Sequence, residues 1–146
     1  MALIIQRAKD SDLDDIVHLW KRNIVTNNTP NEIKQMFQSC PEYFYLAKED
    51  DRVVGFVAGT PKWGLGRILG IAVEEEYRGK SIGNKLLNIL ESTLIKEDIN
   101  EIHLEVRVSN HKAIKFYEKH GYKRIRLKKA YYSNGEDAIL YGKELR

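Results

Sequence analysis

Cysteine is nearly absent from this chain: Cys40 stands alone among 146 residues. A single thiol excludes an intramolecular disulfide. Followed by Pro41 at an apparent helix end, Cys40 reads as a small buried hydrophobe. Long apolar runs are missing as well. No stretch approaches the roughly 18 residues that a membrane-spanning helix needs. The start, "MALIIQRAKDSDLDD", has too short an apolar run ahead of its acidic residues for a secretory signal. The expected location is the cytoplasm, with no membrane partner. There are three prolines, and no repeat, linker or low-complexity tract interrupts the chain. Its length therefore predicts one domain over residues 1–146. Charge is close to balanced: 24 Lys and Arg against 21 Asp and Glu leave +3. That surplus suits an anionic ligand without demanding nucleic acid.

What is present is an ordinary globular composition, 42% apolar and 31% charged. "LIIQRA" reads as a strand. Ser11 is a candidate N-cap for a helix carrying Leu13, Ile16, Val17, Trp20 and Ile24 on one face. In "TPNEIKQMF", Thr29, Pro30 and Glu32 form a helix-start signature, and Pro41 ends that helix. "YFYLAKEDDRVVGFVAGTP" predicts a hairpin turning at Glu49, Asp50 and Asp51. A strand "GRILGIAV" follows, then a helix burying Ile82, Leu86, Leu87, Leu90 and Leu94, then a strand "EIHLEVRV". "SNHKAIKFYEKHG" is a short helix with Ala113, Phe116, Tyr117 and His120 on one stripe and Gly121 at its end. "YKRIRLKKAYY" and "EDAILYGKEL" read as two last strands joined through Ser133, Asn134 and Gly135. The order β-α-α-β-β-β-α-β-α-β-β predicts an α/β fold, a mixed central sheet with helices on both faces.

The run "EEEYRGKSIGNKLL" ends a strand and opens a helix. It contains Gly79-Lys80-Ser81, the last three letters of a nucleotide-binding P-loop. A P-loop needs glycine five residues before Gly79, and that position is Glu74, followed by Glu75 and Glu76. Three carboxylates repel a polyphosphate. The local physics nevertheless favours an anion. Gly79 and Gly83 allow close backbone approach. The first N–H groups of the helix lack intrahelical partners, and the helix dipole is positive there. Arg78 and Lys80 add charge.

The run "IAVEEEYRGKSIGNKLL" resembles the acetyl-CoA signature of the GCN5-related N-acetyltransferases: Arg or Gln, two residues, Gly, one residue, then Gly or Ala. Here it reads Arg78, Gly79, Lys80, Ser81, Ile82, Gly83, with Ser81 in place of the middle glycine. A serine can still offer its N–H there, provided its φ is not strongly positive. "LEVRVSNHKAIKFYEKHGY" and "YYSNGEDAILYGKEL" are similar to the RimI-like branch, the protein N-terminal acetyltransferases. The resemblance covers residues 66 to 146 well. Before that only the order of elements matches, and "RNIVTNNTPNE" departs from what the branch carries between its first two helices.

The resemblance implies that fold, with a sheet of about seven strands whose two central parallel strands splay apart around acetyl-CoA. It implies main-chain groups of Ile71, Ala72 and Val73 on the pantetheine arm and the acetyl oxygen. Arg78, Gly79, Lys80, Ser81, Ile82, Gly83 and Asn84 would surround the pyrophosphate, Asn110 would hold the pantetheine, and Tyr117 would sit near the sulfur. By the same resemblance, Glu105 would occupy the family's usual acidic position, and Tyr131 and Tyr132 would lie in the connection that, in this branch, binds the backbone of a peptide N-terminus.

Each residue also has a plainer reading. An amine must lose a proton before it attacks a thioester, and a carboxylate can accept it directly or through water. By alternation, however, Glu105 is one of a solvated strand face with Glu101, His103 and Arg107. Tyr117, a phenol able to donate to a leaving thiolate, can equally be a core residue beside Phe116. Asn110 or Ser109 can cap the last helix. Tyr131 and Tyr132 can be strand aromatics, and Glu136 and Asp137 solvated. His103 is a candidate water relay. His18, His111 and His120 have no ligand spacing with it, so no metal is expected. The cluster Lys119, Lys123, Arg124, Arg126, Lys128 and Lys129 is either a solvated strand face or an attractor of acidic partners.

The leading expectation is transfer from acetyl-CoA to a protein N-terminus in a ternary complex, the enzyme a monomer or homodimer. The alternatives are a small amine or a lysine side chain as acceptor, and, from another class, a non-catalytic RNA-binding module.

Overall fold

A computed structural model describes residues 3–24 and 28–146. Of the divergent stretch "RNIVTNNTPNE", Val25, Thr26 and Asn27 lie outside the described residues. The elements are β1 (Leu3–Arg7), α1 (Leu13–Asn23), α2 (Pro30–Ser39), β2 (Phe44–Glu49), β3 (Arg52–Lys62), β4 (Leu65–Val73), α3 (Ile82–Lys96), β5 (Glu101–Arg107), α4 (His111–Lys119), β6 (Lys123–Lys128) and β7 (Ala138–Glu144). Their order is the one read from the sequence. The seven strands form one mixed sheet in the order β1-β2-β3-β4-β5-β7-β6. Every neighbouring pair is antiparallel except β4 and β5, which run parallel.

Local chemistry explains the boundaries, with two corrections. Ser11 is not the cap of α1. Asp10–Asp12 form a 3₁₀ turn first, and Asp12 stands at the N-cap position of α1 without a side-chain cap bond to that helix: its carboxylate reaches back to accept from the Lys9 amide at 2.9 Å, closing the turn, and pairs with Lys48 at 3.0 Å. At α2 the expected box is present. The Glu32 amide donates to Thr29 Oγ1 at 3.2 Å, and the Thr29 amide donates to Glu32 Oε1 at 2.8 Å. The second correction concerns β6 and β7. They are not joined by a tight Asn-Gly hairpin, because the chain leaves the ladder after Lys128. Ala130 takes a positive φ of 48°, and its amide donates to Asp137 Oδ1 at 2.8 Å. The turn closed by the Gly135 amide on the Tyr132 carbonyl sits inside this longer connection.

The sheet is buried on both faces where it is thickest. Along β3, Val53, Phe56 and Ala58 pack with Ile16, Trp20 and Phe37 of α1 and α2. The intervening Val54 and Val57 pack with α3. Ile82, Leu86, Leu87, Leu90 and Leu94 of α3 are all essentially inaccessible. At roughly 1.5–3 kcal/mol per buried side chain, this stripe stabilises the fold by on the order of 10 kcal/mol. Glycines set how closely α3 approaches: a Cβ at Gly59 would come within 2.8 Å of a Leu90 methyl, and one at Gly66 within 2.7 Å of a Leu94 methyl. The apolar stripe did not anticipate Glu91, which is buried on the same helix. It accepts from the Tyr122 hydroxyl at 2.7 Å and from Lys143 Nζ at 3.0 Å.

One irregularity positions the site. In the β3–β4 ladder, Ala58 pairs with Gly70 and Gly59 with Ile68, leaving Leu69 as an extra residue on β4. A bulge of this kind bends its strand. β4 and β5 pair only at Gly66–Ile102 and Arg67–His103, just before it. Beyond Arg67 the two parallel strands part, as the resemblance implied.

Candidate active site

The gap between β4 and β5 is the mouth of a cleft of about 710 Å³. Ile68 to Val73 form one wall and Leu104 to Arg107 the other, and the start of α3, Asn110 and Tyr117 of α4, and Tyr132 complete it. The residues expected at the site from the sequence therefore largely converge. Lys80 and Tyr131 are not in the cleft wall. The Lys80 ammonium lies 5.2 Å over the Tyr77 ring instead, and Tyr131 is 46% exposed, edge-on to Tyr132.

At one end the wall is backbone. α3 makes its first hydrogen bond from the Lys85 amide to the Ser81 carbonyl at 3.2 Å. The amides before it, from Gly79 to Asn84, have no hydrogen-bond partner among the described residues. Gly79 and Ser81 both have positive φ, 79° and 64°. Ser81 thus lies in the left-handed region that the sequence reading required it to avoid. Two left-handed residues within three positions give the kind of backbone in which successive N–H groups can form an anion-binding concavity. Arg78 braces the loop: Nε donates to the Val73 carbonyl at 3.0 Å and Nη2 to Asn23 Oδ1 at 2.9 Å. Asn110 lines the cleft and also caps α4, accepting from the Ala113 amide at 3.2 Å.

At the other end the wall carries the carboxylate of Glu105, with Arg67 and Lys128 paired to it from outside the cleft lining. Glu105 lies on the strand face predicted by alternation, but it is not solvated: its side chain is 7% exposed. Arg67 Nη2 donates to Oε1, and Lys128 Nζ donates to Oε2 at 2.8 Å. Burial pushes the Glu105 carboxyl up, but the hydrogen bonds from Arg67 and Lys128 outweigh it and hold it below the usual carboxylate value. His103 is committed elsewhere, at 2.6 Å from Glu101 Oε2. Glu136 and Asp137 are likewise not free: Glu136 accepts from the Ser109 amide at 2.9 Å, and Asp137 ties down Ala130.

Tyr117 is buried at the foot of the cleft, edge-on to Phe116 and Tyr122. Burial, with Tyr132 nearby, pushes its phenol well above the ordinary tyrosine value, so it stays protonated as a donor. Tyr132 is pushed up to about 12, chiefly by burial. Arg67 and Lys128 were not singled out as site residues from the sequence. In the sequence Lys128 is only one of a basic cluster, and nothing local marks either residue as a partner of Glu105. The rest of that cluster is largely solvated: Lys123, Arg124 and Arg126 are exposed along the edge strand β6, where charge discourages strand addition.

Known proteins share this architecture and sequence. The Acetyltransferase (GNAT) family signature matches residues 11–122. An uncharacterized N-acetyltransferase of Methanocaldococcus jannaschii is 40% identical, the match covering 94% of this chain and 89% of that protein. An N-alpha-acetyltransferase of Saccharolobus solfataricus is 34% identical over 97% of this chain and 92% of its own length. The crystal structure of Ard1 from Thermoplasma volcanium superposes with a TM-score of 0.94 at 26% identity, covering 99% of this chain and 98% of that one. The chain belongs to the GNAT family of acetyltransferases. It is an acyltransferase, and its co-substrate is acetyl-CoA.

The residues present fit that co-substrate. The unpartnered amides at the start of α3 suit a pyrophosphate, and the unpaired edge of β4 past Arg67 suits an extended amide-bearing arm. Among the described residues no group of three His, Cys, Asp or Glu gathers to hold a metal. No described helix is long and apolar enough to cross a membrane.

Proposed function

We propose that residues 1–146 act as one acetyltransferase domain whose acceptor is the α-amino group of a protein N-terminus. The observation that carries this reading is one of convergence. Glu105 from β5, Tyr117 from α4 and Tyr132 from the β6–β7 connection line one cleft with the amide cradle of Gly79–Asn84. The similarity to an N-alpha-acetyltransferase over nearly the whole chain supports the choice of acceptor. The two cations beside Glu105 weigh against a polyamine, whose further charges would meet Arg67 and Lys128.

In this reading the amides of Gly79 to Asn84 hold the pyrophosphate, with Arg78 bracing their loop. The main chain of Ile71 to Val73 holds the pantetheine arm, and Asn110 marks where that arm meets α4. When bound, acetyl-CoA supplies an activated acetyl group as a thioester. Glu105 accepts the proton of the amine, directly or through water. An amide of Ile71 to Val73 donates to the acetyl oxygen, worth about 3–4 kcal/mol by analogy with other oxyanion donors. Tyr117 Oη donates to the departing sulfur. Transfer is direct, within the ternary complex.

The test is CoA release from acetyl-CoA with N-terminal peptides, polyamines and lysine-containing peptides as acceptors. Turnover of N-terminal peptides is expected. Turnover confined to polyamines or lysine side chains would replace this acceptor with the corresponding alternative.

A further inference from the structure

We propose that Lys128 is a displaceable cation: its ammonium occupies Glu105 Oε2 in the free enzyme and yields that place to the protonated α-amine of the acceptor. The inference rests on the N-terminal-acceptor reading above. It makes Lys128 a positioning residue that meters access to Glu105.

The geometry leaves an incoming amine little choice. Each oxygen of Glu105 already carries one cation, and the carboxylate is almost inaccessible except along the cleft it lines. A third positive charge within a few ångströms of Arg67 and Lys128 would be repelled unless one of them moved. Exchanging Lys128 for the acceptor is neutral in charge and in kind. One primary ammonium with three donors leaves, and another arrives. Glu105 is never left buried and unpaired, a state that is strongly destabilising.

Lys128, not Arg67, is built to move. Arg67 sits in the last β4–β5 ladder pair, where its planar fork is held against the strand it crosses to. Lys128 ends the edge strand β6 on a flexible four-carbon stem with a single compact charge, and this separates the two cations where exposure does not, the side chains being 27% exposed for Arg67 and 24% for Lys128. The ammonium already lies 5.2 Å over the Tyr131 ring while it pairs with Glu105, so that face stays as a partner when the carboxylate is given up. The exchange also runs in reverse at the right moment. Acetylation turns the acceptor ammonium into a neutral amide: one proton goes to Glu105 and on to solvent, and a second leaves with the departing thiol. Once Glu105 is again a carboxylate, Lys128 recaptures it and displaces the product.

The charged and titratable groups that face Glu105 are few. Arg67 comes from β4 and Lys128 from β6, and Tyr132, from the connection, is raised partly by the Glu105 charge. On its own strand face, His103 is paired with Glu101, and Arg107 lies 3.9 Å from Glu136. Removing Lys128 thus removes one of two direct cations.

The experiment compares wild type, Lys128→Met and Lys128→Arg in steady-state kinetics with an N-terminal peptide, across pH. The Met variant is expected to lower the peptide KM roughly fivefold at neutral pH, the worth of one released ion pair. It should leave the acetyl-CoA KM unchanged and move the acid limb of kcat/KM to higher pH. Arg, whose fork releases a carboxylate less readily, is expected to raise the peptide KM. An unchanged or raised peptide KM in Lys128→Met overturns the proposal. If that variant does not fold, Lys128→Arg decides alone: a raised peptide KM supports displacement, and an unchanged or lowered one overturns it. Wild-type enzyme that ignores N-terminal peptides but turns over another amine would sink the acceptor reading instead, before either variant is compared.

Discussion

The two ends of the cleft are built from opposite materials. The end assigned to the pyrophosphate is mainly backbone: amides from Gly79 to Asn84, contiguous in sequence and without a hydrogen-bond partner among the described residues, with Arg78 beside them. The end assigned to the acceptor presents an ionic side chain, Glu105, backed by Arg67 and Lys128, the three coming from three strands and mutually satisfied. The difference follows from what each end receives. A pyrophosphate brings fixed negative charge, and waiting amides with a helix dipole stabilise it without reorganising. An amine brings positive charge and must lose it, so it needs a carboxylate that is kept ionised yet never left alone in a low-dielectric wall. Single substitutions should therefore damage the ionic end far more than the backbone end, and they should do so in different kinetic constants.

The largest effect is expected from Glu105→Gln. Without a proton acceptor, kcat/KM for a peptide should fall on the order of 100-fold at neutral pH and partly return as pH rises and free amine accumulates. An unchanged rate and pH profile would remove Glu105 as the base. Stability carries a second signature. The folded-state carboxyl titrates below its unfolded value of about 4.3, so its contribution is present above that pH. It is lost as pH falls through the lowered folded value. Acid titration of unfolding stability should therefore show, below about pH 4.3, a slope that Glu105→Gln lacks.

Next in size is Tyr117→Phe, which removes one hydroxyl and keeps the ring that packs on Phe116 and Tyr122. If that hydroxyl donates to the departing sulfur, kcat should fall roughly 10- to 100-fold with little change in either KM. A fall in Tm without a fall in kcat would make Tyr117 a core tyrosine only.

The same contrast explains how much could be read beforehand. The order of all eleven elements followed from periodicity, caps and turn residues, because those signals are local. A strand–loop–helix passage with free amides at its turn was legible for the same reason, since Arg78 to Asn84 are consecutive, but the position of Lys80 over Tyr77 and the positive φ of Ser81 were not. The ionic end could not be read that way. Glu105 was visible as an acid on a strand face, but Arg67 and Lys128 reach it only through the β4–β5 and β5–β7–β6 registers. The Leu69 bulge, which helps open the cleft, carries no sequence signal of its own. The tight hairpin expected at Asn134-Gly135 failed for a related reason. The turn chemistry was right, but Asp137 and Glu136 tie the flanking residues into a longer connection.

At the backbone end, Gly79→Ala should act on acetyl-CoA alone. A Cβ there meets nothing within 4 Å, so the cost is the positive φ of 79°, about 1–2 kcal/mol for an alanine. Acetyl-CoA KM should rise several-fold as the loop relaxes away from that conformation, while peptide KM holds. A rise in peptide KM of the same size would mean that the two ends are not separable.

Ser81→Gly is the smallest change and the sharpest on the cradle, because it is expected to improve the protein. Ser81 holds φ at 64°, a conformation that disfavours any side chain by about 1–2 kcal/mol. Glycine removes that strain but adds about 0.5–1 kcal/mol of lost chain entropy. The balance is a gain of about 0.5–1 kcal/mol, or roughly 2 °C in Tm for a chain of this size. The Ser81 side chain makes no capping hydrogen bond at the start of α3, so nothing offsets the gain. Acetyl-CoA KM should stay the same or fall slightly, since the loop already holds the left-handed conformation that glycine prefers. A loss of affinity would instead reveal that the Ser81 hydroxyl itself contacts the pyrophosphate.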